Sequence, residues 1–220
     1  MLLIGNGRLI TRDDGGFFDD GAVVIEGNLI QEVGTTVALR QKYPHAEFLD
    51  ARGGTIMPGL INTHHHIYSA FARGLSIDGY NPKNFNDILE GMWWRLDRQL
   101  TLENTHLSAC ATYLDCIKNG VTTVFDHHAS YHEIPGSLDM IARPAGEYGV
   151  RTCLCYEVSD RDGEAKMKEA VLENERFIQR AAADDTDMLK GMMGLHAAFT
   201  LSDETLAFCA EHQGREAGYH

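Results

Sequence analysis

After Pro58 the chain alternates short apolar segments with long polar–apolar ones, and this alternation limits the folds open to it. Apolar runs at Thr55–Thr63, Val121–Asp126, Val150–Tyr156 and Leu189–Leu195 read as strands. Between and after them, Asn86–Leu96, Leu102–Asn119, Gly136–Tyr148, Glu164–Ala183 and Asp203–Ala217 read as helices. Thr101 and Ser202 stand where helix N-caps belong, with acidic residues in the first turns behind them. Gly120 and Gly149 stand where a helix stops and a strand begins. Strands and helices alternating about every 35 residues imply parallel strands joined by right-handed crossovers. About four such units fit, whereas a closed barrel of eight needs about 200–250 residues. The chain therefore reads either as an open doubly wound sheet or as part of a longer protein. Its last residues, Arg215–His220, look like a helix stop running into another strand, so we expect an amino-terminal fragment.

Residues 1 to about 55 have a different grain. Leu2–Ile4, Arg8–Ile10, Ala22–Ile25 and Leu29–Val33 are short apolar or alternating runs. Gly5-Asn6-Gly7, Asp13–Gly16, Asp20-Gly21 and Gly27-Asn28 punctuate them, which signals an antiparallel β unit. Gly27-Asn28 reads as a two-residue hairpin loop, and Leu39–Tyr43 as a helical turn.

Most of the chemistry sits where strands end. Leu60-Ile61-Asn62-Thr63 runs into His64-His65-His66. Alternate side chains of a strand share a face, so His64 and His66 point one way and His65 the other. Two imidazoles about 6–7 Å apart along a strand can reach one cation. Imidazole suits Zn, Fe, Ni or Cu. Val121–Phe125 runs into Asp126-His127-His128, Cys153–Tyr156 into Glu157, and Met193–Leu195 into His196. Taken singly, a strand-end histidine is more often a hydrogen-bonded structural group, but the recurrence points to one mouth at the carboxyl ends of the strands. A metal held by neutral imidazoles lowers the pKa of a water it binds toward 7. His-x-His supplies two ligands, a catalytic site needs at least one more, and His196 is the best local candidate. Trp93-Trp94 reads as core or interface, with an aromatic pocket wall as the alternative. Asp97, at the end of that helix, is a weaker candidate for touching a substrate.

Composition excludes some partners. The net charge of -13 argues against nucleic acid and against an anionic membrane surface. No stretch approaches the length of a membrane span, and the amino terminus lacks a signal-peptide pattern. The five cysteines form no C-x-x-C and read as reduced thiols of a cytoplasmic protein. In Cys153-x-Cys155 one thiol is expected to point inward and one outward.

These segments resemble a known family. Pro58–His66 looks like the first barrel strand of the amidohydrolase superfamily, and Gly120–Asp126 like its second. His196-Ala197-Ala198-Phe199-Thr200-Leu201-Ser202 is similar to a signature of the aminohydrolase and chlorohydrolase branch. Trp93–Arg98, Asp126–Ser130 and Glu157–Arg161 look most like the SsnA-like aminohydrolases of that branch. The resemblance implies an α/β fold: a partial metal-dependent (β/α)₈ TIM barrel preceded by the amino-terminal part of a small β-sandwich domain. Residues 1–55 would be the sandwich part, and residues 56–220 the first half of the barrel, cut at its fifth strand.

The resemblance implies a metal-dependent hydrolase acting on a C–N bond of a nitrogen heterocycle, with a small-molecule substrate. It makes His64 and His66 the metal pair, for one divalent ion, Zn first and Fe second. It moves His196 from ligand to substrate contact, and adds Asp97, His127 and His128 as substrate-side candidates. His220 would be the first, non-ligand histidine of the family's fifth-strand motif. The remaining ligands and the proton shuttle would lie beyond residue 220, leaving no catalytic group in the visible chain and the fragment alone inactive. A non-catalytic or accessory member of the same fold, serving selenium or purine metabolism, stays open as the alternative. Nothing in the sequence excludes a homodimer of the full-length protein.

Overall fold

A computed structural model describes residues 1–11, 16–215 and 217–220. The chain divides into two compact units, Met1–Gly59 and Leu60–His220.

The first unit is a five-stranded sheet. β1 (Leu2–Ile10) lies between β2 (Phe17–Glu26) and β4 (Glu47–Asp50), β3 (Leu29–Thr35) extends the β2 side, and β5 (Thr55–Ile56) also pairs with β1. The expected hairpin forms: Glu26 pairs with Leu29 across Gly27-Asn28, and Gly27 takes a positive φ of 60°. Gly5-Asn6-Gly7 does not end a strand as expected. It sits inside β1 at a shift in register, because Asn6 finds other partners there. Its N–H donates to Thr36 Oγ1 at 2.9 Å and its carbonyl accepts from Gly53. α1 (Thr36–Lys42) covers the sheet, and Leu3, Ala22, Val24 and Leu39 form the small core. The expected turn at Asp13–Gly16 lies largely outside the described residues.

The second unit carries the strand–helix alternation. β6 (Leu60–His65), β7 (Val121–His128) and β8 (Arg151–Val158) run parallel, and β9 (Leu189–Gly191) and β10 (Gly194–Leu195) both pair parallel with β8. After β6 come a 3₁₀ turn (Ile67–Ala72) and a helical stretch made of α2 (Phe85–Ile88), a π turn (Leu89–Trp93) and α3 (Trp94–Asp97). The longer helices are α4 (Leu102–Lys118), α5 (Ser137–Tyr148), α6 (Glu164–Ala182) and α7 (Asp203–His212). Thr101 closes a capping box with Asn104, and Ser202 accepts from Thr205 N at 3.2 Å, as their placement predicted. One contiguous core runs through this unit, with Tyr113, Tyr156, Phe177, Ile134 and Leu138 fully buried.

Four expectations need correction. Thr55–Thr63 is not one strand: Pro58 lacks an N–H and Gly59 is unconstrained, so the run splits into β5 and β6. Nor is β6 buried throughout. It lies at the edge of its sheet among the described residues, leaving Leu60 and Ile61 exposed. Cys153 and Cys155 are both buried, because β8 is a central strand covered on both faces. α7 stops at His212, short of Ala217.

Leu189–Leu195 also breaks in two, and the repair is instructive. The break leaves Tyr156 of β8, which pairs with His128 of β7 on one side, without a paired strand residue on the other. Asn174 of α6 fills the gap: its Oδ1 accepts from Tyr156 N at 2.7 Å and its Nδ2 donates to Tyr156 O at 2.9 Å. A side-chain amide thus stands in for a missing strand residue. Replacing Asn174 with Leu keeps the volume but orphans a buried N–H and a buried C=O, each costing about 1–3 kcal/mol. We expect the urea midpoint to drop accordingly, with the slope unchanged.

Candidate active site

The carboxyl ends of β6, β7, β8 and β10 border one cavity of about 680 Å³. Its lining includes His64, His66, His127, His196, His220 and Glu157, together with Tyr68, Trp93, Trp94 and Leu195. The mouth therefore gathers imidazoles against an aromatic wall, and among the described residues no Lys or Arg lines it.

The local backbone sets the histidine pair. His64 and His66 lie two residues apart at the end of β6, and their Nε2 atoms converge to 3.2 Å. His66 Nδ1 lies 2.8 Å from the His127 carbonyl oxygen, which can only accept. Nδ1 therefore carries the hydrogen, and Nε2 is left with a free lone pair. His64 Nδ1 sits 2.8 Å from His220 Nε2, the two rings stacked 5.0 Å apart. His65 also borders the cavity, but its Nδ1 lies 3.7 Å from Asp126 Oδ1. Asp126 Oδ1 also accepts from Ile67 N at 2.6 Å, tying the turn after β6 to β7.

His64, His127 and His196 are kept neutral. Burial, with neighbouring imidazoles, lowers the pKa of His64, and burial pushes His127 well below the usual range. Burial takes His196 down to about 4, with Arg161 adding to the effect. Neutral imidazole is the form that binds a metal. Two such nitrogens on one tetrahedral Zn²⁺ at about 2.05 Å would stand about 3.3 Å apart. The 3.2 Å separation fits a cation as well as it fits one shared proton. Among the described residues, no group of three or more His, Cys, Asp or Glu side chains is arranged to hold a metal ion. The pair thus brings two imidazole nitrogens together without a third ligating side chain among the described residues.

Of the six residues singled out in the sequence, His64, His66, His127 and His196 come together at the cavity. Asp97 and His128 do not line it. His128 is fully buried, packed between Tyr68 and Tyr156 with neither ring nitrogen partnered. Asp97 is fully buried in a bidentate pair with Arg161, at 2.6 and 3.3 Å. Sequence reasoning passed over Tyr68 and did not single out Arg161. The signal for Arg161 was present: a cation four residues after a strand-ending carboxylate.

A parallel strand–helix sheet with its polar groups at the carboxyl ends of the strands has the layout of a TIM-barrel enzyme, here a partial barrel. The chain belongs to the amidohydrolase family, whose profile matches residues 55–217. Residues 21–46 match an imidazolonepropionase-like composite domain of bacteria. The 5'-deoxyadenosine deaminase of Methanosarcina barkeri is 29% identical over 221 residues, covering 100% of this chain and 48% of that protein. The 5-methylthioadenosine/S-adenosylhomocysteine deaminase of Pyrococcus furiosus is 25% identical, covering 96% and 45%. Among solved structures, E. coli guanine deaminase superposes with a TM-score of 0.77 at 18% identity, covering 96% of this chain and 50% of that one. Atrazine chlorohydrolase TrzN of Arthrobacter aurescens TC1, complexed with zinc, gives 0.76 at 24%, again 96% and 50%. The chain spans about half the length of the curated relatives it matches. No helix among the described residues is long and apolar enough to cross a membrane.

Proposed function

We propose that the whole protein is a metal-dependent hydrolase that releases ammonia from a C–N bond of a nitrogen heterocycle, and that this chain carries half of its site. The observation that carries the reading is the convergence of His64 and His66 Nε2 at 3.2 Å, with the His66 tautomer fixed by a backbone carbonyl, at the mouth of an aromatic cavity. His64 and His66 would hold one divalent cation, zinc by preference, consistent with the zinc in the TrzN complex. When bound, such a cation would supply an acidified water for attack on the ring carbon. His127 fixes the His66 ring through its carbonyl and lines the cavity. His196 stands at the far wall, its ring 6.4 Å from that of Trp94, where it contacts substrate. His128 and Asp97 act from behind the wall, through Tyr68 and Arg161.

Residues 1–55 are then the first part of a composite sandwich, and residues 56–220 the first half of the barrel. By motif we place the protein with the SsnA-like aminohydrolases, and we place it in the cytoplasm. A homodimer of the full-length protein is compatible with this reading. The deaminases among the relatives support ammonia as the leaving group. The test is bound-metal analysis and an ammonia assay of the full-length protein across purines, pyrimidines and triazines. We expect about one metal per chain and turnover with at least one class; a metal-free, inert protein overturns the reading.

A further inference from the structure

Glu157 is a buried carboxyl at the end of β8 that also lines the cavity. Its Oε1 accepts from Arg161 Nη2 at 3.1 Å. The same guanidinium holds both oxygens of Asp97, and its side chain is only 4% exposed. It lies 3.9 Å from the Tyr131 ring centroid and 5.1 Å from that of Trp94. Asp162 also comes within 3.6 Å of Arg161 Nη1, but it is paired with Arg98 at 2.9 Å, so these two positive charges serve three carboxyls. The charges balance when one carboxyl keeps a proton. Asp97 gives both oxygens to the guanidinium and does not line the cavity, so it holds the negative charge. Glu157 gives one oxygen to the guanidinium, which leaves the other for a proton.

We propose that Glu157 meets the cavity as a neutral carboxylic acid whose O–H donates to a ring nitrogen or carbonyl of an uncharged heterocycle, making it a specificity-determining residue of the site. The inference rests on the reading that this cavity takes a nitrogen heterocycle. Arg161 is then a positioning residue, acting through Glu157 and Trp94. Among the described residues the lining carries no Lys or Arg, so this half of the cavity offers a phosphorylated ligand no cation.

The surroundings support a proton on Glu157. Burial pushes its carboxyl up to about 7 against the downward pull of Arg161, and Asp97 and Asp162 push the same way as burial. Tyr131 donates its hydroxyl to the Glu157 carbonyl at 2.9 Å. Tyr68, Tyr131 and Cys155 also feel the Glu157 charge, but burial holds all three neutral. His196, on the segment after β10, is kept neutral as well. Carboxylic acids held neutral in apolar sites are known hydrogen-bond donors to substrates.

The chain has two tryptophans, Trp93 and Trp94, and both line the cavity, so their fluorescence reports occupancy without turnover. The probe is adenine, with adenosine monophosphate as the anionic comparison. Wild type should bind adenine about tenfold more weakly at pH 8 than at pH 6, as the acid ionises. Glu157→Gln places an N–H where the acid has O–H. It should bind adenine equally at both pH values and about as well as wild type at pH 6. Adenosine monophosphate should bind at least about tenfold more weakly than adenine, and equal or tighter binding overturns the refusal of anions. A wild-type affinity that is flat or rises with pH overturns the inference, and this measurement needs no variant. Loss of adenine by Glu157→Gln with an unchanged melting curve overturns it too. If wild-type fluorescence does not respond to adenine at any pH, both the heterocycle reading and this inference fall; a response without the stated pH dependence sinks the inference alone.

Discussion

Replacing Arg161 with methionine should cost about 3–5 kcal/mol, the usual effect of removing one partner from a buried ion pair. The guanidinium touches Asp97 twice and Glu157 once, and all three side chains are almost wholly enclosed. Without it, two carboxyls share a dry site with no counter-charge. Both already have pKa values raised by burial despite Arg161, and the variant raises them further. A carboxyl whose folded pKa is raised contributes stability that is fully present below its unfolded value. That stability is lost as pH rises through the folded value. For Glu157 in the wild type, this window runs from the ordinary Glu value of about 4.5 up to about 7. The variant should therefore be least damaged near pH 5 and most damaged near pH 8. Urea midpoints at the two pH values check this. A loss that is the same at both pH values, or greater at pH 5, would contradict the picture of uncompensated buried charge.

The second large effect concerns the metal-binding pair we propose. Replacing His66 with alanine should lower Zn²⁺ affinity by more than about 100-fold, since losing an outer-sphere partner alone costs about 10–100-fold. His66 is the ring whose lone pair is fixed by the 2.8 Å contact of Nδ1 with the His127 carbonyl. His132→Ala, which removes an exposed histidine far along the loop after β7, is the control and should leave the affinity unchanged. Equilibrium dialysis against a zinc chelator reads both. An equal loss in the two variants would mean that zinc is scavenged by surface imidazoles and not held at β6.

Local signals were legible in the sequence wherever a residue's role depends on its chain neighbours. Thr101 and Ser202 cap helices because a hydroxyl reaches the N–H three residues on. Gly27-Asn28 turns the hairpin, and the period of two along β6 brings His64 and His66 together. Failures occur where the deciding partner is remote. Asp97 stood at a helix end, but Arg161, 64 residues later, draws it into a buried pair away from the cavity. His128 was grouped with His127, but the pleat of β7 turns it toward Tyr68 and Tyr156. Asn6 looked like part of a turn until Thr36 and Gly53 supplied its hydrogen bonds. The split of Leu189–Leu195 was hidden because its repair comes from Asn174, on the preceding helix.

The convergence of the His64 and His66 Nε2 atoms at the end of one strand also bears on the order in which a site like this assembles. Their spacing depends on the pleat at the end of β6 and on one carbonyl of the adjoining β7, 61 residues further on, so one long loop has to close before the pair is set. On a ribosome, the proposed half of a coordination sphere can take shape as soon as the second barrel strand has emerged. Any later ligand joins a pair already set, so the chain-ordering entropy of the pair is spent before metal arrives.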